Sequence, residues 1–365
     1  MRKLFILTLI LFIFPGEILS EPQGGILRSG IVIQKWTVED LTDPISEGTF
    51  PIEFIYPIRD NLNIQINHSP ALSRFGDYDL SGLSDTWIRS TFKLADNRTL
   101  FSAGIGLPTG KTKLDSSEMK MTGLLSQNAL KFQLPVFGQG LTLSGGVMYA
   151  YPVNNQLTVG LGLNYVYRGS YKFSKLQSLE FNPGDQLGVN AGFDYIMSSR
   201  LRSNVDIVFN YYTADKVEKT ELFSSGPKLT LKSGFQYQVT FGSLWMRLHY
   251  RYRAKNETWD GQALVPESKN SNVTQREVEL GSKINLTEII FLNVNGEIRS
   301  YVENESGSGW IDLFGAGLGY EVLFSPNFSL SMAFKLFFGD GDFATQNRYF
   351  SGTEFQINTQ WKFNN

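Results

Sequence analysis

Residues 244 to 255 read LWMRLHYRYRAK, and two kinds of side chain alternate along this stretch. Apolar and tyrosyl side chains take every second position: Leu244, Met246, Leu248, Tyr250 and Tyr252. Basic side chains take the positions between and after them: Arg247, His249, Arg251, Arg253 and Lys255. A period of two residues is typical of a β-strand, whose successive side chains point to opposite faces. One face is fully apolar, and the other is too charged for an ordinary protein core.

The same alternation recurs along most of the chain. It is clear in 157–168, 185–195, 201–212, 228–240, 275–284, 289–302, 327–338 and 353–363, and diluted by glycine in 98–108, 140–151 and 310–323. Short turns and long polar loops alternate between these runs, which is typical of an outer-membrane β-barrel. A soluble β-sandwich is the alternative. It does not explain a continuous apolar band on one face together with Arg, Glu, Asn and Gln on the other.

We therefore predict an all-β fold, an antiparallel up-and-down transmembrane barrel of sixteen strands with long extracellular loops. The predicted strands are 26–38, 49–58, 61–68, 82–94, 98–108, 140–151, 156–169, 184–196, 200–213, 227–240, 243–256, 273–285, 289–302, 310–323, 327–338 and 351–363. If 26–38 is a plug instead of a strand, fourteen strands are expected. Long polar loops are predicted at 170–184, 214–226, 257–272, 303–309 and 339–350.

The N-terminus and the composition indicate an exported protein without disulfides. Residues 1–20 begin with Arg2 and Lys3 and continue into a short apolar run, as in a cleaved signal peptide. Residues 21–365 would then form the mature barrel of a Gram-negative cell envelope. The chain has no cysteine, and its formal net charge of -2 gives no electrostatic basis for binding nucleic acid. No motif predicts a cofactor or a metal site.

One segment, 110–139, does not fit the strand count. Its part 128–136 alternates like a strand, but a seventeenth crossing would break the even number. Its earlier part begins with Ser and Glu118 in a cap-like arrangement and then spaces apolar residues as on a helix. We therefore expect an apolar extracellular loop insertion, folded into or over the mouth of the barrel. It could offer a binding surface to a greasy ligand, and the candidate ligand-binding residues are Met119, Met121, Leu124, Leu125, Leu130 and Phe132.

Two short motifs carry a family resemblance. Gly82-Leu83-Ser84-Asp85 opens one predicted strand, and Leu107-Pro108-Thr109-Gly110 closes the next. This pairing resembles the outer-membrane family linked to the meta-cleavage pathway of phenol degradation, which is related to long-chain fatty-acid and toluene transporters. The resemblance rests on Gly82, Asp85, Pro108 and Gly110, and it implies passive uptake of hydrophobic small molecules. Within the strand, Asp85 shares its parity with Arg89 and Lys93, so we expect an ion pair with them in preference to a ligand-binding role.

The basic face of 244–255 is predicted to meet carboxylates on the neighbouring strands. The members of this lumenal charge ladder are Arg247, His249, Arg251, Arg253, Glu277, Glu279, Glu297 and Arg299. Such a ladder would stiffen the wall and narrow the pore, because charges away from bulk water must be paired or hydrated. It could equally be a basic stripe that steers anionic ligands such as carboxylates.

Together these features predict a passive channel for small hydrophobic or amphipathic molecules. A general porin with a water-filled lumen is the main alternative. An outer-membrane hydrolase would need an activated serine or water, and neither His68 nor His249 lies in a pattern that provides one. A surface scaffold is a third alternative. The expected partners are outer-membrane lipid, a small-molecule ligand and the barrel-assembly and periplasmic chaperone machinery, and the protein is expected to be a monomer.

Overall fold

The computed structural model describes residues 24–94, 97–175, 179–343 and 346–363. The predicted export segment 1–20 lies outside these residues. In the part of the chain that is described, no helix is long and apolar enough to cross a membrane.

The described residues form one α-helix and 24 strands. The helix is α1, Ser116–Leu125. The strands are β1 Ile26–Val38, β2 Ile45–Thr49, β3 Ile52–Arg59, β4 Leu62–His68, β5 Pro70–Phe75, β6 Tyr78–Leu83, β7 Thr86–Lys93, β8 Thr99–Leu107, β9 Thr142–Pro152, β10 Leu157–Arg168, β11 Phe181–Asn182, β12 Gln186–Ile196, β13 Leu201–Tyr212, β14 Ala214–Val217, β15 Thr220–Ser224, β16 Lys228–Val239, β17 Gly242–Arg253, β18 Glu257–Trp259, β19 Leu264–Pro266, β20 Thr274–Asn285, β21 Ile290–Val302, β22 Ile311–Ser325, β23 Phe328–Phe343 and β24 Gln346–Lys362.

Nineteen of these strands form one closed antiparallel sheet. Short breaks divide three wall strands into pairs, β2 with β3, β4 with β5, and β6 with β7, so the wall has sixteen strands. The first and last strands close the ring, from Ile26 opposite Lys362 to Val38 opposite Phe350. Closure pairs the edges that would otherwise leave backbone groups unsatisfied in hydrocarbon. The predicted sixteen-strand barrel is confirmed, and β1 is a wall strand and not a plug.

The two faces of the wall follow the alternation of the sequence. On β1, Ile31 and Ile33 are 43% and 48% exposed, whereas Val32 and Gln34 between them are buried. Exposed apolar side chains such as Leu161 and Phe338 continue this outer band around the ring. Exposed tyrosines and tryptophan lie near both ends of the strands, among them Tyr165, Tyr211, Tyr151 and Trp361. Such aromatic girdles mark the two interfaces of a membrane-spanning barrel.

The long-loop end of the barrel carries more regular structure than the sequence indicated. Strands β11, β14, β15, β18 and β19 form a separate five-stranded sheet there. The prediction of a polar loop over 339–350 was wrong, because β23 and β24 stay paired as far as Phe343 opposite Gln346. Glycine and aspartate interrupt the alternation in this stretch, so the local sequence pattern does not indicate strands. Pairing between β23 and β24 keeps these residues extended.

Residues 110–139, here called the plug, run between β8 and β9 and lie inside the ring. Gln34 of β1 contacts Lys131 on one side, and Glu277 of β20 contacts it on the other, although these strands are far apart around the wall. Helix α1 begins with Asp115 as its N-cap, whose carboxylate accepts hydrogen bonds from the Ser117 and Glu118 amides. The expected serine cap was therefore one residue off. Residues 128–136 form no strand.

Candidate functional site: the plugged lumen

The plug packs its apolar side chains against one side of the lumen. Met121, Leu125, Leu130 and Phe132 are each 5% exposed or less. They belong to a single buried cluster with inward-facing wall residues, namely Trp36, Val38, Ile45, Leu313, Phe337 and Phe350. The ring of Trp36 stacks on that of Phe337 at 5.2 Å between centroids. We call this cluster the apolar seat of the plug.

The six candidate ligand-binding residues are thus mostly engaged in packing. Met121 and Leu130 are 0% and 1% exposed, so they hold the plug in the seat and leave no surface for a ligand. Leu124 packs partly buried against the same cluster, and Met119 is also partly buried. Leu125 and Phe132 are different, because they also line a cavity between the plug and the wall.

Backbone groups of the plug are bound by polar side chains of the wall. Gln34 donates to the Lys131 carbonyl at 3.0 Å and accepts from the Gln133 amide at 2.9 Å. The Glu47 carboxylate accepts from the Leu134 amide at 2.9 Å. On β21, Arg299 donates to the Ala129 carbonyl at 2.9 Å and Tyr301 to the Asn128 carbonyl at 2.8 Å. An irregular backbone inside a barrel needs such partners, because each unpaired buried group costs about 1–3 kcal/mol.

Lys131 is the cation at the centre of the charge ladder. Its Nζ lies 2.8 Å from Glu277 and 3.1 Å from Glu297. The backbone of Lys131 has a φ of 50°, in the left-handed region that a side-chain-bearing residue seldom adopts. The contacts on both sides hold it there. The sequence reasoning missed Lys131, because its partners are more than a hundred residues away.

The wall part of the ladder forms as predicted in some positions and not in others. Arg247 lies opposite Glu279 in register and 3.3 Å from it, and His249 lies opposite Glu277 at 3.1 Å. Arg299 pairs with Glu297, and Lys335, also missed, lies 3.8 Å from Glu279.

The last two arginines of the stripe were expected to face carboxylates, but neither has one directly opposite. In register, Arg251 is opposite Gln275 and Arg253 is opposite Lys228. Among the described residues no hydrogen bond engages the Arg251 side chain, which is attracted at longer range by Glu277, whereas Arg253 lies over the Tyr212 ring at 5.6 Å.

An inner cavity of about 360 Å³ lies beside the plug. Leu125, Phe132 and Pro135 of the plug form its apolar part, and His249, Arg251, Gln275 and Glu277 form its wall side. An outer cavity of about 380 Å³ lies below the loop sheet, lined among others by Arg168, Lys228, Arg253, Asp215 and Tyr212. Both volumes are in the range of small-molecule sites.

The two motifs of the family resemblance clamp the base of the plug. The Asp85 carboxylate accepts from the Gly110 amide at 2.9 Å and the Gln139 amide at 2.7 Å, and Asp85 is 9% exposed. The expected ion pair with Arg89 and Lys93 was wrong, because these two amides use the carboxylate instead. A Cβ at Gly110 would lie 2.4 Å from the Phe137 carbonyl oxygen, so only glycine fits there. Gly82 lies against Lys111, and Pro108 directly follows β8.

Comparison with protein-family models and with curated proteins found no match. Solved structures do match. A mutant of the monoaromatic hydrocarbon channel TodX is 10% identical with a TM-score of 0.50, over 94% of this chain and 91% of that chain. A bacterial polysaccharide outer membrane secretin is 10% identical with a TM-score of 0.51, over 94% and 100%.

The barrel is of the outer-membrane type. An outer membrane channel from Pseudomonas putida F1 is also similar, at 10% identity and a TM-score of 0.43, over 96% of this chain and 99% of that chain. At these identities the likeness describes the fold, and the plug and its cavities have to be interpreted from the residues of this chain.

Proposed function

We propose that this protein is a passive outer-membrane channel for small hydrophobic or amphipathic molecules, kept closed at rest by its own plug. The observation that carries the proposal is the placement of residues 110–139 across the lumen, with an apolar seat toward β1, β2 and β22 to β24 and ion pairs toward β20 and β21. An enzyme is a poorer explanation, because His249 is paired with Glu277 within the wall network. The serine that lines the same cavity, Ser126, donates its hydroxyl to the Gly123 carbonyl of its own helix and not to His249.

The resting channel would let small solutes pass only when the plug loosens. The plug is held by many individually modest contacts, and its polar side borders two cavities. In this proposal the long-loop end faces outward, residues 1–20 direct export, and the link of the GLSD and LPTG motifs to aromatic degradation supports an aromatic or otherwise amphipathic solute.

Planar-bilayer recording of the purified wild-type protein tests the proposal. A plugged channel should show little current, with brief openings, and proteoliposomes containing it should take up a small amphipathic solute faster than protein-free liposomes. A large steady conductance would identify a general porin and overturn the proposal. A protein that shows neither conductance nor solute uptake would indicate a scaffold role. That result would overturn the proposal as well.

A further inference from the structure

We propose that the inner cavity is a binding site for a small monocarboxylate with an apolar body, and that the basic stripe of β17 leads such anions to it. This inference names the substrate class of the proposed channel, and the role of the site in transport rests on that proposed function. The binding site itself can be tested without any transport.

The first argument is a cation in the inner cavity that has no hydrogen-bond partner among the described residues. Arg251 lines this cavity, and Glu277 attracts its guanidinium only from beyond contact distance. The other charges of the cavity are already matched, since Glu277 is held by Lys131 at 2.8 Å and by His249 at 3.1 Å. A guanidinium presents a planar fork of donors that fits a carboxylate. The unmatched charge therefore calls for an anion.

The second argument is an unused polar atom beside Arg251. Gln275 lies opposite Arg251 in register, is 3% exposed and lines the same cavity. Its Oε1 has no hydrogen-bond partner in the described structure, while its Nε2 donates to Glu277. Most buried polar atoms are paired, so this unpaired acceptor indicates a site completed by a donor, such as a water that bridges it to a carboxylate bound at Arg251.

The third argument concerns the shape and charge of the ligand. Leu125, Phe132 and Pro135 face the polar wall across the cavity, so a ligand needs an apolar body as well as its anionic head. A single guanidinium matches one negative charge, and Lys131 and His249 are already engaged by Glu277, which favours a monocarboxylate over a dicarboxylate. A cavity of about 360 Å³ is at the small end of ligand sites, which favours a compact molecule over a long chain.

The fourth argument is the route from outside. Arg253 lines the outer cavity and lies two residues from Arg251 on the same face of β17, about 7 Å away. The outer cavity also contains Arg168 and Lys228 against a single carboxylate, Asp215, so it carries a net positive charge. Basic clefts concentrate anions at an entrance. An entering ligand would thus contact Arg253 in the outer cavity first and Arg251 in the inner cavity next.

Calorimetric titration of the full-length, detergent-solubilised protein tests the site with benzoate and benzamide, which have nearly the same shape and differ in charge. We expect benzoate to bind at least tenfold more tightly than benzamide. Arg251→Gln should weaken benzoate binding at least tenfold and leave benzamide unchanged. The control is Arg276→Gln, because Arg276 is an exposed arginine on the outer face of the neighbouring strand β20, and it should bind benzoate like the wild type.

Equal affinity for the two probes, no binding of benzoate, or unchanged benzoate binding in Arg251→Gln would each overturn the inference. If Arg251→Gln fails to fold, Arg251→Lys is the second variant, because it keeps the positive charge but loses the planar fork of donors. Arg251→Lys should bind benzoate more weakly than the wild type does. It should still bind benzoate more tightly than it binds benzamide. These results are independent of conductance. A wild-type protein that binds benzoate through Arg251 but conducts like an open porin would refute the plugged-channel function and leave the binding site in place.

Discussion

The plug meets two unlike walls. Toward β1, β2 and β22 to β24 it packs against buried aromatic and aliphatic side chains such as Trp36, Leu313 and Phe350, each 1% exposed or less. Gln34 and Glu47 on this side are bound to the plug backbone. Toward β17 and β20 it faces arginine, histidine, glutamine and glutamate across an open cavity. Apolar packing is tight and not easily displaced, whereas charged groups beside water can exchange partners. The difference implies that one wall anchors the plug and the other forms the passage.

The strongest way to break this contrast is to charge the anchoring side. Leu130→Asp places a carboxylate at a position that is 1% exposed within the apolar seat. Burying an unpaired charge costs several kcal/mol, so the plug should leave its seat. We expect steady current in planar bilayers where the wild type shows little.

The matched control for this change is Leu222→Asp, since Leu222 is 39% exposed in the loop sheet. It should conduct like the wild type. Circular dichroism should show the strand content of both variants intact. A wild-type current from a correctly folded Leu130→Asp protein would contradict the role of the seat.

A milder change tests how tightly the anchoring side is packed. A Cβ at Gly315 would lie 2.7 Å from the Phe337 ring, which itself stacks on Trp36. Gly315→Ala should therefore destabilise the seat by about 1–3 kcal/mol, as overpacking does. Thermal unfolding should show a lowered midpoint. At Gly296 on the adjacent strand the nearest atom to a new Cβ is 3.9 Å away, so Gly296→Ala should leave the midpoint near that of the wild type.

On the polar side, the central ion pairs should contribute less. Lys131 is 36% exposed at its side chain, so water and salt screen its pairs with Glu277 and Glu297. Lys131→Met should favour plug opening by about 1 kcal/mol, or about fivefold in the open-to-closed ratio. Single-channel recording measures this ratio. Wild-type opening should also rise with salt, and this dependence should weaken in the variant.

The control for Lys131→Met is Lys113→Met, because Lys113 is an exposed lysine of the same plug. It should change neither the opening ratio nor its salt dependence. If both lysine variants open alike, the effect would come from the charge of the plug as a whole and not from the ladder.

The smallest effect is expected at the helix cap. Asp115 accepts hydrogen bonds from the Ser117 hydroxyl and the Glu118 amide, and these with Lys175 hold the pKa of Asp115 below its usual value. Asp115→Ala should speed hydrogen exchange at the first amides of α1 and leave the conductance almost unchanged. The control is Asp260→Ala, which removes similar side-chain hydrogen bonds to backbone amides in the turn between β18 and β19. It should leave hydrogen exchange in α1 unaltered.

The same cap gives a pH dependence. Burial raises the pKa of Glu118, but hydrogen bonds from Lys111, the Asp115 amide and Lys175 outweigh it, so the pKa of Glu118 is also lowered. Carboxyls with lowered pKa values stabilise the folded form above their ordinary values of about 4 and lose this contribution as the pH falls below them. Protection of α1 should thus be constant from about pH 5 to 8 and decrease below about pH 4.

The wall could be predicted from the sequence because its information is local. Alternation with a period of two gives each strand and its faces, and short turns pair each strand with its neighbour, as in β16 with β17. The register then brought Arg247 to Glu279 and His249 to Glu277. Prediction failed over 339–350, where glycines interrupt the alternation and only the partner strand keeps the chain extended.

The position of the plug in the chain could be predicted, but its contacts with the wall could not. Its cap-like start and apolar spacing marked a helix, yet its binding partners are distant in sequence, such as Gln34, which is 97 residues before Lys131. Nothing in a single sequence specifies such contacts. For the same reason the residues proposed to bind a ligand, such as Met121 and Leu130, turned out to bind the wall, and Arg251, which has no carboxylate directly opposite, was expected to be paired.

The most direct test of the account is to remove the plug. Gly106 and Thr142 are opposite each other in register, so a short turn can join β8 to β9. Replacing residues 113–136 with Gly-Ser-Gly keeps Gly110 and Gln139, which bind Asp85. Planar-bilayer recording should then show a large, steady conductance in place of the nearly closed wild type. A conductance equal to that of the wild type, in a variant whose circular dichroism shows an intact barrel, would contradict the claim that this segment closes the lumen.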